Sequence, residues 1–265
     1  MNESLGDAPR VVTERRGHMF LIKLNRAGKR NAVDRAMYNQ LAVAYGELDK
    51  DADLRVGVLH ADGDHFTGGL DLTDWVGVIE NEGLAPTEGG LDPLGITTNP
   101  VSKPVVIAVQ GTCLTIGIEM MLASDIRVAA TDTRFAQIEV KRGIFPTGGA
   151  TWRFFRDAGW GNAMRYILTG DQFDAEDAFR MGLVQELVPP GRQMDRALEI
   201  AEVIAAQAPL AVAATLASAR LAEAQGYPAV VPTLVPMQSE LLKSEDAREG
   251  VQSFIERRTA SFSGR

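Results

Sequence analysis

The sequence predicts an α/β protein with a helical C-terminal region. Three observations carry this reading. The chain opens in the order β-β-α-β, apolar strand-like runs then alternate with helical stretches, and from Gln193 onward only helical patterns remain. The expected division is therefore residues 1–192 as the α/β core and 193–265 as an Ala-rich helical region that serves oligomerisation.

Each element has a local cause. "VVTERRGHMFLIKLNR" (Val11–Arg26) reads as a β-hairpin turning at Arg16-Gly17, with "MFLIKL" as its second strand. "DRAMYNQLAVAYGELDK" follows, with Asp34 as N-cap and Met37, Leu41, Tyr45 and Leu48 on one helical stripe. "RVGVLHA" is a short buried strand. From Thr73 to Pro104 the chain is rich in Gly, Pro and acids and reads as a long binding loop or lid that lines a pocket, or else as a disordered segment. "PVVIAVQG" is a continuous apolar strand, "GTCLTIGIEMMLASD" a turn and helix, and "DIRVAA" another strand. In the tail, breaks fall at Pro209, Pro228 and Ser244.

Composition narrows the function. The 265 residues are 45% hydrophobic and 23% charged, an ordinary globular balance. Lys and Arg number 27 against 35 Asp and Glu, a net charge of −8, which argues against a nucleic-acid partner. Cys113 is the single cysteine, so an internal disulfide and a paired-cysteine metal site are both excluded. It lies in an apolar run far in sequence from His18, His60 and His65, as a core residue would. No basic segment followed by an apolar run opens the chain. The longest apolar stretch, "IAAQAPLAVAATLASA", is broken by Gln207 and Pro209 and reads as two helices. A soluble, cytoplasmic protein without a membrane partner is expected.

Familiar motifs fail on inspection. "GDHFTGGL" spaces Gly63 and Gly68 like a phosphate loop, but Gly69 and Leu70 stand where Lys and Ser/Thr are needed. No G-x-G-x-x-G follows a strand, no cluster has metal-ligand spacing, and all histidines precede any candidate serine nucleophile elbow. Two glycine-flanked turns and two glutamates remain. Gly68-Gly69 in "HFTGGLDL" allows a sharp turn and close approach of a ligand. "GTCLTIG" opens a helix whose free N–H groups suit an anion. Converging N–H groups would make an oxyanion hole; the bland alternative is two ordinary strand-loop turns. Glu119 lies about one helical turn beyond Ile116 in an apolar setting, and Glu139 precedes the Gly148-Gly149 turn. A buried carboxylate pair shares a proton near neutral pH and supplies acid and base together. Alternatively, Glu119 forms a buried ion pair with an Arg such as Arg127, and Glu139 is a solvated strand end.

Taken together, these pieces resemble the crotonase family, whose best-known members are enoyl-CoA hydratases. The resemblance runs nearly end to end. It is carried by "LNRAGKRNAVDRAMYNQL", "HFTGGLDLTDW", "QGTCLTIGIEMMLASDIRVAATDTRFAQIEVKRGIFPTGGATWRF", "LTGDQFDAEDAFRMGLVQELVP" and "EDAREGVQSFIERRTASF". It implies a ββα spiral, a superhelix of βαβ-like turns, with a helical trimerisation region often assembled as a dimer of trimers. It implies an oxyanion hole from the Leu70 and Ile116 amides, and catalysis by Glu119, which activates water, and Glu139, which protonates C2. Lys29, Arg30, Ala32, Gly68, Asp71 and Leu72 fall where the family's backbone wraps coenzyme A. The implied reaction is hydration of a 2-enoyl-CoA, with no cofactor beyond the coenzyme A of the substrate. Δ3-Δ2 isomerisation, which needs one glutamate, and a catalytically weak acyl-CoA-binding protein are the alternatives. The Clp-type proteases share this fold, but their Ser/His pair is missing here. Two departures stand out: "TIG" replaces a run of glycines, and Leu70 replaces a small residue, so a reshaped acyl pocket is expected.

Overall fold

The computed structural model describes residues 8–81 and 88–265. β1 (Val11–Arg16) and β2 (Met19–Leu24) form the expected hairpin, closed by Gly17 at φ +58°. α1 (Arg35–Lys50) is capped by Asp34, whose carboxylate accepts from the Met37 amide at 2.8 Å. All four residues of the expected stripe are buried. β3 (Val56–Ala61), β4 (Val105–Val109), β6 (Ile126–Ala130) and β9 (Glu186–Val188) join the hairpin in a sheet of order β1-β2-β3-β4-β6-β9, parallel after the first pair.

After β4 and again after β6 the chain steps into a second, three-stranded sheet. β5 (Thr112–Leu114) and β7 (Arg134–Ala136) are parallel there, and β8 (Phe173–Asp174) is antiparallel to β7. A bridge from Thr67 to Cys113 extends the same step to the turn after β3. Successive turns of chain thus lay one segment in each sheet, which is the spiral the resemblance implies. Cys113 is fully buried in the core, and burial pushes its thiol well above the usual range, away from nucleophilic use.

The segment read as a loop from Thr73 begins instead as α2 (Leu72–Asn81). Its Thr, Val, Gly and Asn have poor helix propensity, so local sequence does not announce it. Tertiary contacts override that preference. Trp75 is buried edge-on against Tyr38, and its indole N–H donates to the Val33 carbonyl at 2.9 Å. Residues 82–87, inside the expected lid, lie outside the described residues. Residues 88–104 carry no helix or strand; Asp92 organises part of them by accepting from the Leu94, Ile96 and Thr97 amides and the Tyr38 hydroxyl.

α3 (Ile116–Ala123), α4 (Ala150–Ala158), α5 (Trp160–Thr169) and α6 (Ala175–Arg180) complete the core layer. α7 (Gln193–Ala205) covers the other face of the large sheet with Ala197 and Ala201, over Val56, Val58, Val106 and Val128. Burial on both faces explains the unbroken apolar run of β4. α8 (Pro209–Gln225), α9 (Tyr227–Leu241) and α10 (Glu245–Glu256) begin at the expected breaks. α7 and α8 meet at a 107° bend, and among the described residues no single helix is long and apolar enough to cross a membrane.

Candidate active site

The carboxylate of Glu119 is buried at the centre of the spiral, on α3, and is only 5% exposed. Its partners are backbone amides. Oε1 accepts from Gly148 at 2.7 Å and from Ala150 at 3.2 Å. The alternative of an ion pair with Arg127 is not what forms: Arg127 binds Asp157 at 2.6 Å. Burial raises the Glu119 carboxyl to about 7 against the pull of those two amides, and the charge of nearby Glu139 adds to the rise.

Glu139 opens a 3-10 turn (Glu139–Arg142) after β7 and is buried, not a solvated strand end. Burial lifts its carboxyl to about 7 as well. Oε2 is buried with no protein partner. Gln137, fully buried, supplies the other oxygen. In the orientation that satisfies its neighbours, its amide donates to Glu139 Oε1 at 3.1 Å and to the Thr115 carbonyl at 3.2 Å. A polar residue alternating with Glu139 along "AQIE" is too common a pattern to mark Gln137 in the sequence.

Both glutamates line one cavity of about 410 Å³. Gly68, Leu70, Leu72 and Ile116 line it too, so the structure brings six of the ten expected site residues together. Leu70 pairs with Val33 through the Gly69 carbonyl and the Asp71 amide, which leaves the Leu70 N–H on the opposite edge. Ile116 is the first residue of α3, whose cap offers no side-chain acceptor. Among the described residues, neither amide has a protein acceptor. Gly69 sits at φ +104°, and an added Cβ would come within 2.4 Å of Thr115 Oγ1, so only glycine permits this approach of the two turns.

Lys29, Arg30, Ala32 and Asp71 lie beside the cavity and not in its wall. The Lys29–Val33 segment is laced to the Gly68 turn: Gly68 N donates to the Arg30 carbonyl at 2.8 Å, and Thr67 Oγ1 to that of Asn31 at 2.7 Å. Lys29 and Arg30 are exposed. Asp71 differs from a free ligand-binding acid. Its carboxylate is held by Thr73 at 2.7 Å and Arg26 at 2.9 Å, which together keep it below the usual carboxylate range.

Part of the cavity wall comes from residues that follow Glu139. None of the described residues from 73 to 104 lines the cavity; Arg142, Ile144, Phe145 and Thr147 do. Ile144 and Phe145 form an exposed apolar rim. Thr115 also lines the cavity, held at φ 48°, ψ −113°, a conformation suited to glycine. A β-branched residue there stores about 1–3 kcal/mol of strain. Among the described residues, no group of three or more His, Cys, Asp or Glu has the arrangement of a metal site.

Two buried carboxyls with raised affinity for protons, facing a cavity beside two unpaired backbone amides, are suited to acid–base chemistry. The chain belongs to the enoyl-CoA hydratase/isomerase family, whose model matches residues 14–265. It is 32% identical to enoyl-CoA hydratase EchA19 of Mycobacterium tuberculosis over 97% of both chains. It is 31% identical to a short-chain-enoyl-CoA hydratase of Clostridium acetobutylicum, over 94% of this chain and 95% of that one. Among solved structures, a probable enoyl-CoA hydratase/isomerase from Mycobacterium abscessus superposes with a TM-score of 0.94 at 51% identity, covering 97% of this chain and 99% of that one.

Proposed function

We propose that this protein is an enoyl-CoA hydratase that adds water across the C2=C3 bond of a 2-enoyl-CoA. The observation that carries the reading is the pair Glu119 and Glu139, both buried and both raised to about 7, in one cavity. A hydratase needs a base for water and an acid for carbon at the same pH. Glu119, held by the Gly148 and Ala150 amides, takes a proton from water as its oxygen bonds to C3. The displaced electron pair moves through C2 onto the thioester oxygen, giving an enolate. The Leu70 and Ile116 amides stabilise that oxygen, a contribution of about 3 kcal/mol for each such donor. Glu139 then delivers a proton from Oε2 to C2. The carboxyls and amides supply every step, so the reaction calls for no cofactor beyond the coenzyme A of the substrate. Exposed Lys29 and Arg30, with the backbone of Ala32, Gly68, Asp71 and Leu72, hold that moiety.

The test is turnover of a panel of 2-enoyl- and 3-enoyl-CoA thioesters, read by mass spectrometry. Gain of one water on a 2-enoyl substrate is expected. Bond migration in a 3-enoyl substrate without water gain would make the protein an isomerase, and binding without any turnover a scaffold.

The helical region is read as the oligomerisation surface. α8 buries no residue of its own, and Val231, Val235, Val251, Phe254 and Ile255 stand exposed on α9 and α10. A trimer or hexamer by light scattering is expected; a monomer would refute this reading.

A further inference from the structure

Thr115 combines three features that the mechanism so far leaves unused. Its backbone occupies a conformation suited to glycine, at φ 48°. Its hydroxyl is buried with no hydrogen-bond partner. Its side chain lines the cavity, yet Oγ1 lies 2.4 Å from where a Cβ on Gly69 would stand. That contact places the hydroxyl against the residue that precedes the Leu70 amide. Covalent connection places it beside the Ile116 amide, whose nitrogen is bonded to the Thr115 carbonyl carbon. The hydroxyl therefore lies at the junction of the two turns that carry the unpaired backbone donors. An unpaired buried hydroxyl is unfavourable, and any side chain at this φ is strained; alanine would remove the first penalty and glycine both.

We infer that the Thr115 hydroxyl donates a third hydrogen bond to the thioester oxygen of the bound acyl-CoA, beside the Leu70 and Ile116 amides. A rotation of about 120° in χ1 carries Oγ1 from the Gly69 seam to the place the methyl group now holds, and the methyl to that of the β-hydrogen. The inference rests on the hydratase reading. It gives the unglycine-like "TIG" turn a catalytic purpose: the same residue narrows the thioester end of the cavity and supplies a donor where negative charge develops.

The experiment compares Thr115→Val, which keeps the branched shape and loses the hydroxyl, with Thr115→Ser, which keeps the hydroxyl. Thermal melts establish that both variants fold. Turnover of the preferred 2-enoyl-CoA is measured together with the infrared carbonyl stretch of a bound saturated acyl-CoA of the same length. Thr115→Val is expected to lose about ten- to a hundredfold in kcat, below the loss for a fully preorganised backbone donor. It should also show a smaller downshift of the carbonyl stretch, while Thr115→Ser stays within about threefold of the parent, since it retains the donor. Parental kcat and an unchanged carbonyl stretch in Thr115→Val would overturn the inference and leave the hydratase reading intact. A parent that hydrates no enoyl-CoA would sink the hydratase reading itself, and the carbonyl stretch would still decide whether Thr115 is a donor.

Discussion

Replacing Glu139 with Gln is expected to lower kcat for hydration by about a thousandfold, within the range for loss of a positioned general acid. The amide is isosteric but carries no transferable acidic proton, so C2 is left without its donor. Glu119→Gln should be as damaging to hydration, because water loses its base. It should leave Δ3-Δ2 bond migration partly intact, since that reaction needs one carboxyl. Equal hydration by both variants and the parent would sink the two-glutamate mechanism. The parent's pH profile follows from the same pair. Well below 7 both carboxyls hold protons and no base remains; well above 7 both are ionised and no acid remains. A bell centred near 7 is expected for kcat/KM, with limbs that belong to the pair. In Glu139→Gln the residual rate should lose this bell.

Gly148→Ala is expected to lower kcat by about a hundredfold with little change in KM, the cost of moving a reacting group by about an ångström. An added Cβ would stand 2.3 Å from Glu119 Oε2 and 2.9 Å from Leu94 Cδ1, so the carboxylate must leave its place between the Gly148 and Ala150 amides. Gly148 does not adopt a positive φ, so the backbone itself accepts alanine. The segment near Lys29, proposed to hold coenzyme A, is untouched. Steady-state kinetics with a thermal melt decide the matter: a folded variant with hydration within a few-fold of the parent would show that Glu119 need not sit where the two amides hold it.

The elements visible in the sequence were those with a local cause. The Asp34 cap and the α1 stripe, the β1-β2 hairpin and the apolar run of β4 each follow from a short pattern. Glu119 stood out because a lone carboxylate in "LTIGIEMML" requires an explanation. α2 was not visible, because its stability comes from Trp75 reaching Tyr38 and Val33, far away in sequence. The lining of the cavity by residues 142–147 was not visible for a similar reason: the spiral brings this later turn of chain to the Gly68 turn, far from it in sequence. Gln137 was missed because its role depends on facing two acceptors at once, Glu139 and the Thr115 carbonyl. Asp71 was identified as a site residue, but its bonds to Arg26 and Thr73 appear only when the chain is folded.

The two unpaired donors at Leu70 and Ile116 belong to the main chain. Any residue but proline presents an N–H at those positions, so the donors survive a change of side chain, although Ile116 is also a buried core residue whose side chain packs the interior. On the proposed mechanism, stabilisation of the thioester oxygen and the shape of the pocket are thereby held by different atoms of Leu70. A library randomised at 70, where the side chain is partly exposed to the cavity, with Gly69, Ile116 and the glutamates fixed, should yield catalysts of altered chain-length and branching preference more often than inactive proteins. The scaffold is in this sense a ready starting point for retailoring toward other thioesters.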